Sequence, residues 1–218
     1  MGIIKNSAKT IVCYGDSNTW GAVPASITNE RYSREIRWPG ALQLLLGNDY
    51  EVINEGLCGR TLVAHDLAKP YRTGIAHLQS ILRTTDPCAL IIIMLGTNDI
   101  KSIYTLEPVD IVLHLEQTIR LIQAESSFLQ INPKILVICP PRPVEPTKRK
   151  IDERMTRWPE FFAVLPDGFR EIARKYDCYY LNAGDIVTSS TIDGYHLEPE
   201  AHTTLAKEIN KIIKKIFE

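Results

Sequence analysis

Five short apolar runs punctuate the chain: Thr10 to Tyr14, Tyr50 to Ile53, Ala89 to Leu95, Lys134 to Cys139 and Cys178 to Leu181. The third, Ala-Leu-Ile-Ile-Ile-Met-Leu, is apolar at every position. A strand with one wet face alternates apolar and polar residues, so this run predicts a strand covered on both faces, as in a parallel sheet. Segments with helical spacing lie between the runs. Leu42, Leu45 and Leu46 mark one, Ile75, Leu78, Ile81 and Leu82 a second, Ile111, Leu115, Ile119 and Ile122 a third, and Phe169, Ile172 and Ala173 a fourth. A last helix starts near Pro199 and carries Leu205, Ile209, Ile212, Ile213 and Ile216. Alternating strand and helix argues for βαβ units with right-handed crossovers. The fold class is therefore α/β, a three-layer αβα sandwich around a five-stranded parallel sheet, flavodoxin-like in plan.

Two stretches break the pattern: Val23 to Pro39, and the proline-rich Pro140 to Pro146 with the charged segment behind it. Both follow strand ends, where open α/β sheets bind ligands, so both are expected to wall the site. The 218 residues suit one domain spanning 1–218, long enough to bury roughly 70% of its unfolded surface without a disulfide or structural metal. A net charge of −1 gives no footprint for nucleic acid or acidic membranes. The densest basic run, Lys148-Arg149-Lys150, is followed directly by Asp152 and Glu153 and reads as a solvated turn. No apolar run approaches the ~18 residues of a membrane span, and Met1 to Lys9 has no secretory pattern. The five cysteines are odd in number and widely spaced without a CxxC pair, so the expected compartment is the cytoplasm. His65, His77, His114 and His202 form no ligand-spaced cluster, and GxxxxGK[ST] and GxGxxG are both missing. No metal and no cofactor are expected.

The candidate chemistry lies directly after the apolar runs. Gly15-Asp16-Ser17-Asn18-Thr19-Trp20-Gly21 follows the first, and Asn54-Glu55-Gly56-Leu57-Cys58-Gly59-Arg60-Thr61 the second. Gly96-Thr97-Asn98-Asp99 follows the third, and Asp193-Gly194-Tyr195-His196 precedes the last helix. Each piece alone has an ordinary reading: Ser17 as an N-cap, Gly59 as a tight bend, Asn98-Asp99 and Asp193-Gly194 as turns, His196 as surface. A parallel sheet puts all these strand ends on one edge. There a hydroxyl, backbone amides, a carboxamide and an imidazole converge, which is the inventory of an acyl-transfer site.

Those four segments resemble the four sequence blocks of the SGNH (GDSL-like) hydrolases: GDS with Ser17, a glycine block with Gly59, GTND with Asn98, and DxxH with Asp193 and His196. Within the family, Gly-Asp-Ser-Asn-Thr-Trp-Gly, Arg37-Trp38 and Gly-Leu-Cys-Gly-Arg-Thr look like the arylesterase and acyltransferase branch. The resemblance implies the SGNH hydrolase fold and a serine esterase. It also implies a homo-oligomer, with Trp38 and the Arg31 to Arg37 stretch near the interface.

The residues support the same roles. A serine hydroxyl needs a base, and His196 is the histidine placed at the sheet's active edge. Asp193, three residues earlier, can accept the other imidazole N–H and stabilise the imidazolium. The backbone N–H groups of Ser17 and Gly59 and the side-chain amide of Asn98 are the candidate oxyanion donors, and the resemblance assigns the same three. Trp20 is a candidate wall of the acyl pocket, with plain packing as the alternative. Arg37 and Trp38 read as pocket wall or subunit contact, and Asp16, Arg60 and Thr61 as structural. Trp158 to Phe162 reads as a helix packed on the sheet, with a lid as the alternative. The expected activity is hydrolysis of small, short-acyl carboxylic esters through an acyl-serine. Two alternatives stay open: an acyltransferase using the same triad with an alcohol acceptor, and a non-enzymatic flavodoxin-like binding module.

Overall fold

The computed structural model describes residues 7–85, 87–129, 131–147 and 150–218. Residues 1–6, and Lys148 and Arg149 of the basic run, lie outside the described residues. Five parallel strands form one sheet: β1 (Lys9–Gly15), β2 (Tyr50–Gly56), β3 (Cys88–Met94), β4 (Lys134–Cys139) and β5 (Tyr179–Asn182). Their order is β2-β1-β3-β4-β5, with Ile11 opposite both Val52 and Leu90 in the ladder. In this order the connections leave β1 and β3 in opposite directions, so the crevice between those two strands is the natural ligand edge. Ser17 follows β1 and Asn98 follows β3.

Helices α1 (Ser17–Trp20), α2 (Trp38–Leu46), α3 (Gly74–Thr84), α4 (Pro108–Leu129), α5 (Trp158–Phe162), α6 (Leu165–Lys175) and α7 (Pro199–Phe217) complete the elements that position the site. The sheet has an apolar core on each face. Val12, Tyr14, Ile91 and Ile93 pack with Leu78, Ile111, Leu115, Ile119 and Phe169 of α3, α4 and α6. Ile11, Cys13, Leu90 and Ile92 point the other way, onto Trp38 and Leu42 of α2 and Leu205, Ile209 and Ile213 of α7. Successive side chains of β3 thus enter different cores, which is why this strand has no polar position. Emptying one such site, as in Ile92→Ala, costs about 2–5 kcal/mol because a close-packed neighbourhood closes only partly around the gap. Among the described residues no helix is long and apolar enough to cross a membrane.

Several expectations need correction. Leu45 is exposed; α2 turns Trp38, Ala41 and Leu42 inward, since three consecutive leucines do not define a phase. Trp38 is fully buried, with its backbone N–H donating to Nδ1 of buried His202 at 3.3 Å. It is neither pocket wall nor subunit contact. Phe161 anchors α5 in the core, so that segment is packing and not a lid.

Candidate active site

The turn that carries Ser17 is shaped mainly by short-range bonds. Asp16 caps α1, its Oδ1 accepting from Asn18 N at 2.9 Å and its carbonyl accepting from Thr19 N and Trp20 N. Gly21 ends the helix after four residues at φ +94°, in the left-handed region that suits glycine. The short helix holds Ser17 at the strand-to-helix step, where its Oγ lies 3.0 Å from His196 Nε2.

His196 sits on a turn with its own donors and acceptors. Asp193 Oδ2 lies 2.6 Å from His196 Nδ1, and Oδ1 accepts from the backbone N–H groups of Tyr195 and His196. Asp193 Oδ2 also accepts from Ala25 N at 2.8 Å, on the first irregular loop. Burial pushes the Asp193 carboxyl up, but the hydrogen bonds and charge of His196 and the backbone donors outweigh it and hold it at about 2. Asp16 goes the other way: burial lifts it to about 6, against the Asn18 hydrogen bond and the charges of His196 and Lys101.

Asn18 joins the two turns. Its Nδ2 donates to Tyr195 O at 3.0 Å and its Oδ1 accepts from Leu197 N at 3.0 Å, so one buried side chain grips both neighbours of His196. Sequence reasoning missed this residue, although its position next to Ser17 was a signal.

Gly59 lies on the cavity wall at φ +82°, and a Cβ there would meet the Arg72 guanidinium at 2.7 Å. Among the described residues neither Ser17 N–H nor Gly59 N–H donates to an acceptor. Asn98 is buried beside them; its Nδ2 donates to Arg60 O at 3.0 Å and makes a longer contact with Asp16 Oδ2 at 3.4 Å. Its Oδ1 accepts from Lys101 Nζ at 2.7 Å. Asp99 receives Leu62 N on both carboxylate oxygens, tying the glycine block to the end of β3. Arg60 donates to Gly15 O and Glu55 O and stacks on Tyr14, a structural role as expected.

Ser17, Gly59, Asn98, Asp193, His196 and Trp20 all line one cavity of about 420 Å³. Trp20 is half-buried, with the Arg31 guanidinium 4.8 Å above its ring. Val23, Ala25 and Ile27 of the first irregular loop form part of the wall. The second irregular stretch divides. Asp152, Arg154 and Met155 reach the cavity, whereas Pro140, Arg142 and Val144 border a separate depression. The proline-rich part therefore does not wall the site; it braces the histidine turn through Val144 N to Gly194 O at 2.8 Å. Lys101, Arg72 and Arg154 were not singled out from the sequence. Among the described residues no group of three or more His, Cys, Asp or Glu side chains is arranged to hold a metal ion.

Residues 13–204 match the model of the GDSL-like lipase/acylhydrolase family. Among solved structures, the chain is similar to a carbohydrate acetylesterase family member from Sinorhizobium meliloti, at 32% identity over 95% of this chain and 98% of that one, with a TM-score of 0.87. It is also similar to the inhibitor-bound aryl esterase of M. smegmatis, at 30% identity, 95% and 99% coverage and a TM-score of 0.84. A putative arylesterase from Agrobacterium tumefaciens str. C58 shares 30% identity, with 95% and 99% coverage and a TM-score of 0.87. A comparison with curated proteins found no match. The family pattern runs through nearly the whole fold and the similar structures are esterases, so the chain belongs to the GDSL-like lipase/acylhydrolase family of SGNH hydrolases and is a carboxylic-ester hydrolase.

Proposed function

We propose that the chain hydrolyses small carboxylic esters through a covalent acyl-serine, with Ser17 as nucleophile, His196 as general base and acid, and Asp193 as the orienting carboxylate. The observation that carries this reading is the hydrogen-bonded series from Ser17 Oγ to His196 Nε2 at 3.0 Å and from His196 Nδ1 to Asp193 Oδ2 at 2.6 Å. An ionised Asp193 keeps the imidazole proton on Nδ1 and leaves Nε2 as acceptor for the Ser17 proton. Oγ then attacks the ester carbonyl carbon, and the carbonyl π pair moves onto oxygen. The N–H groups of Ser17 and Gly59 hold that oxyanion, joined by Asn98 Nδ2, whose long contact with Asp16 is the one to be exchanged. The imidazolium returns its proton to the departing alcohol. A water deprotonated by His196 next attacks the acyl-serine, releasing the acid and restoring Ser17.

The polar and charged side chains around the cavity suit water as the acceptor, which supports hydrolysis over acyl transfer. Its apolar wall is small, made of Trp20, Ala22, Val23, Ala25, Ile27 and Met155, and suits a short acyl chain. Each methylene buried there gains at most ~0.8 kcal/mol, and the gain stops at the wall. Along a nitrophenyl ester series, kcat/KM should peak between acetyl and butyryl; a steady rise to palmitoyl would remove the short-acyl claim. Ser17→Ala should fold normally and lower kcat at least about a thousandfold, because serine, histidine and carboxylate act as a unit. A fluorophosphonate probe should label Ser17 in the wild type. Labelling elsewhere, or full turnover by the variant, would end the proposal. A homo-oligomer is part of the same reading, supported by the resemblance to the arylesterase branch. Light scattering showing a monomer at micromolar concentration would remove it.

A further inference from the structure

Acyl transfer at Ser17 requires no cation, yet the cavity is lined by four: Lys69, Arg72, Lys101 and Arg154. They come from three separate loops. Lys101 reaches in beside Asn98, and its 2.7 Å bond to Asn98 Oδ1 is its one hydrogen bond among the described residues. Burial, then the nearby Arg154 and Arg72 guanidinium groups, pull the Lys101 ammonium down to about 8. Arg72 runs along the backbone of Gly59, close enough to exclude a Cβ there. Its Nε is buried with no acceptor among the described residues, and its counter-ion Asp66 stands 3.8 Å from Nη1.

Arg154 differs, because Asp152 receives both its Nε and its Nη2. Lys101 makes no ion pair among the described residues, although the charges of Asp152 and Asp16 act on it, and Arg72 has only a loose pair. Among the described residues, the other acid on the cavity wall outside the proposed triad is Glu30, on an exposed stretch of the first irregular loop. Like charges brought together out of water repel, and a buried N–H without an acceptor keeps its desolvation cost. An anion reaching both cations offsets their repulsion, with the lysine acting as a point charge and the exposed end of the arginine as a donor.

We propose that Lys101 and Arg72 form an anion subsite beside Gly59 and Asn98, and that the ester hydrolysed here carries a carboxylate or another anionic oxyacid group. This rests on the ester-hydrolase reading of Ser17 and names its substrate class: a small acylated acid that fits about 420 Å³.

Two matched pairs of esters test it and separate the sources of the charge. On the alcohol side, 3-acetoxybenzoate is compared with its methyl ester; on the acyl side, mono-4-nitrophenyl fumarate, whose trans carboxylate cannot reach its own ester, with its methyl ester. Each rate is divided by the uncatalysed rate of the same compound. In at least one pair the anionic member should have a kcat/KM at least about tenfold higher, the worth of one charge-assisted hydrogen bond. Arg72→Gln and Lys101→Gln should each bring that ratio several-fold closer to unity. Equal or poorer turnover of the anionic member in both pairs, with the neutral esters still hydrolysed, overturns the subsite and leaves the esterase reading intact. A preference that survives in both variants overturns the assignment to these residues. Failure of the wild type on all four esters removes the esterase reading and this inference with it.

Discussion

The two turns that meet at Ser17 differ in what shapes them. The serine turn is shaped from within, by Asp16 and backbone bonds inside residues 16–21, and its outer carbonyls then accept from Asn54, Arg31 and Tyr32. The histidine turn has local bonds from Asp193, but it is aimed by distant partners: Ala25, Val144 and both ends of the Asn18 carboxamide. Their carboxylates record the difference. Asp193, surrounded by donors, is held at about 2, whereas Asp16, buried with fewer, is lifted to about 6. Burial alone does not set a carboxyl's charge: the hydrogen bonds and the charge of His196 outweigh it at Asp193, and what faces Asp16 does not.

The comparison can be broken in three places. The largest effect is expected at Asn98, which touches the serine turn without building it. Asn98→Ala should lower kcat roughly 10²–10³-fold with little change in KM, as for a donor used mainly in the transition state. A raised KM at unchanged kcat would make Asn98 a substrate-binding residue instead.

The two carboxylates should then give stability profiles of opposite sign. With a folded value of about 2, below the ordinary ~3.9, Asp193 stabilises the fold above pH ~3.9, and that stability is lost as pH falls through 2. With a folded value of about 6, above the ordinary one, Asp16 contributes its stability below pH ~3.9, and that contribution is lost as pH rises through 6. From pH 3.5 to 7, urea unfolding of Asp16→Asn against the wild type should shift by about 2–3 kcal/mol in favour of the variant. Asp193→Asn should lose ground to the wild type as pH rises from 2 to 5. Parallel profiles for the two variants would erase the distinction.

The smallest effect is expected at Asn18, where one side chain makes the long-range link. Asn18→Ala frees Tyr195 O and Leu197 N, and kcat should fall about tenfold with KM nearly unchanged, since His196 is displaced and not removed. A raised KM, or an unchanged kcat, would show that the histidine turn holds itself.

This asymmetry also explains what was legible in the sequence. Ser17, Gly59, Asn98, Asp193 and His196 could be found because each lies just past an apolar run or just before the last helix, so chain order gives their place. All five strands were legible for the same reason. Lys101, Arg72 and Arg154 meet only through the folding of separate loops, and no spacing along the chain encodes that meeting. Trp38 was misplaced because it ends a polar, arginine-rich stretch, a context that hides its burial against Ile11 and His202. Pro140 to Val144 follows a strand end but turns away from the cavity to brace Gly194, and nothing in its composition distinguishes the two outcomes.

Asn18 and His202 also set an order in time. Ser17 and His196 are 179 residues apart, so translation at ~5–20 residues per second separates their emergence by roughly 10–40 s. Through that interval the growing chain carries a serine with no base beside it. The apolar face of the sheet that Leu205, Ile209 and Ile213 will cover also stays bare until the last helix arrives. That helix follows His196 directly, and its His202 receives the first backbone N–H of α2. Burial of that face and the meeting of Ser17 with His196 therefore coincide, and on the proposed mechanism the nascent chain is born inert.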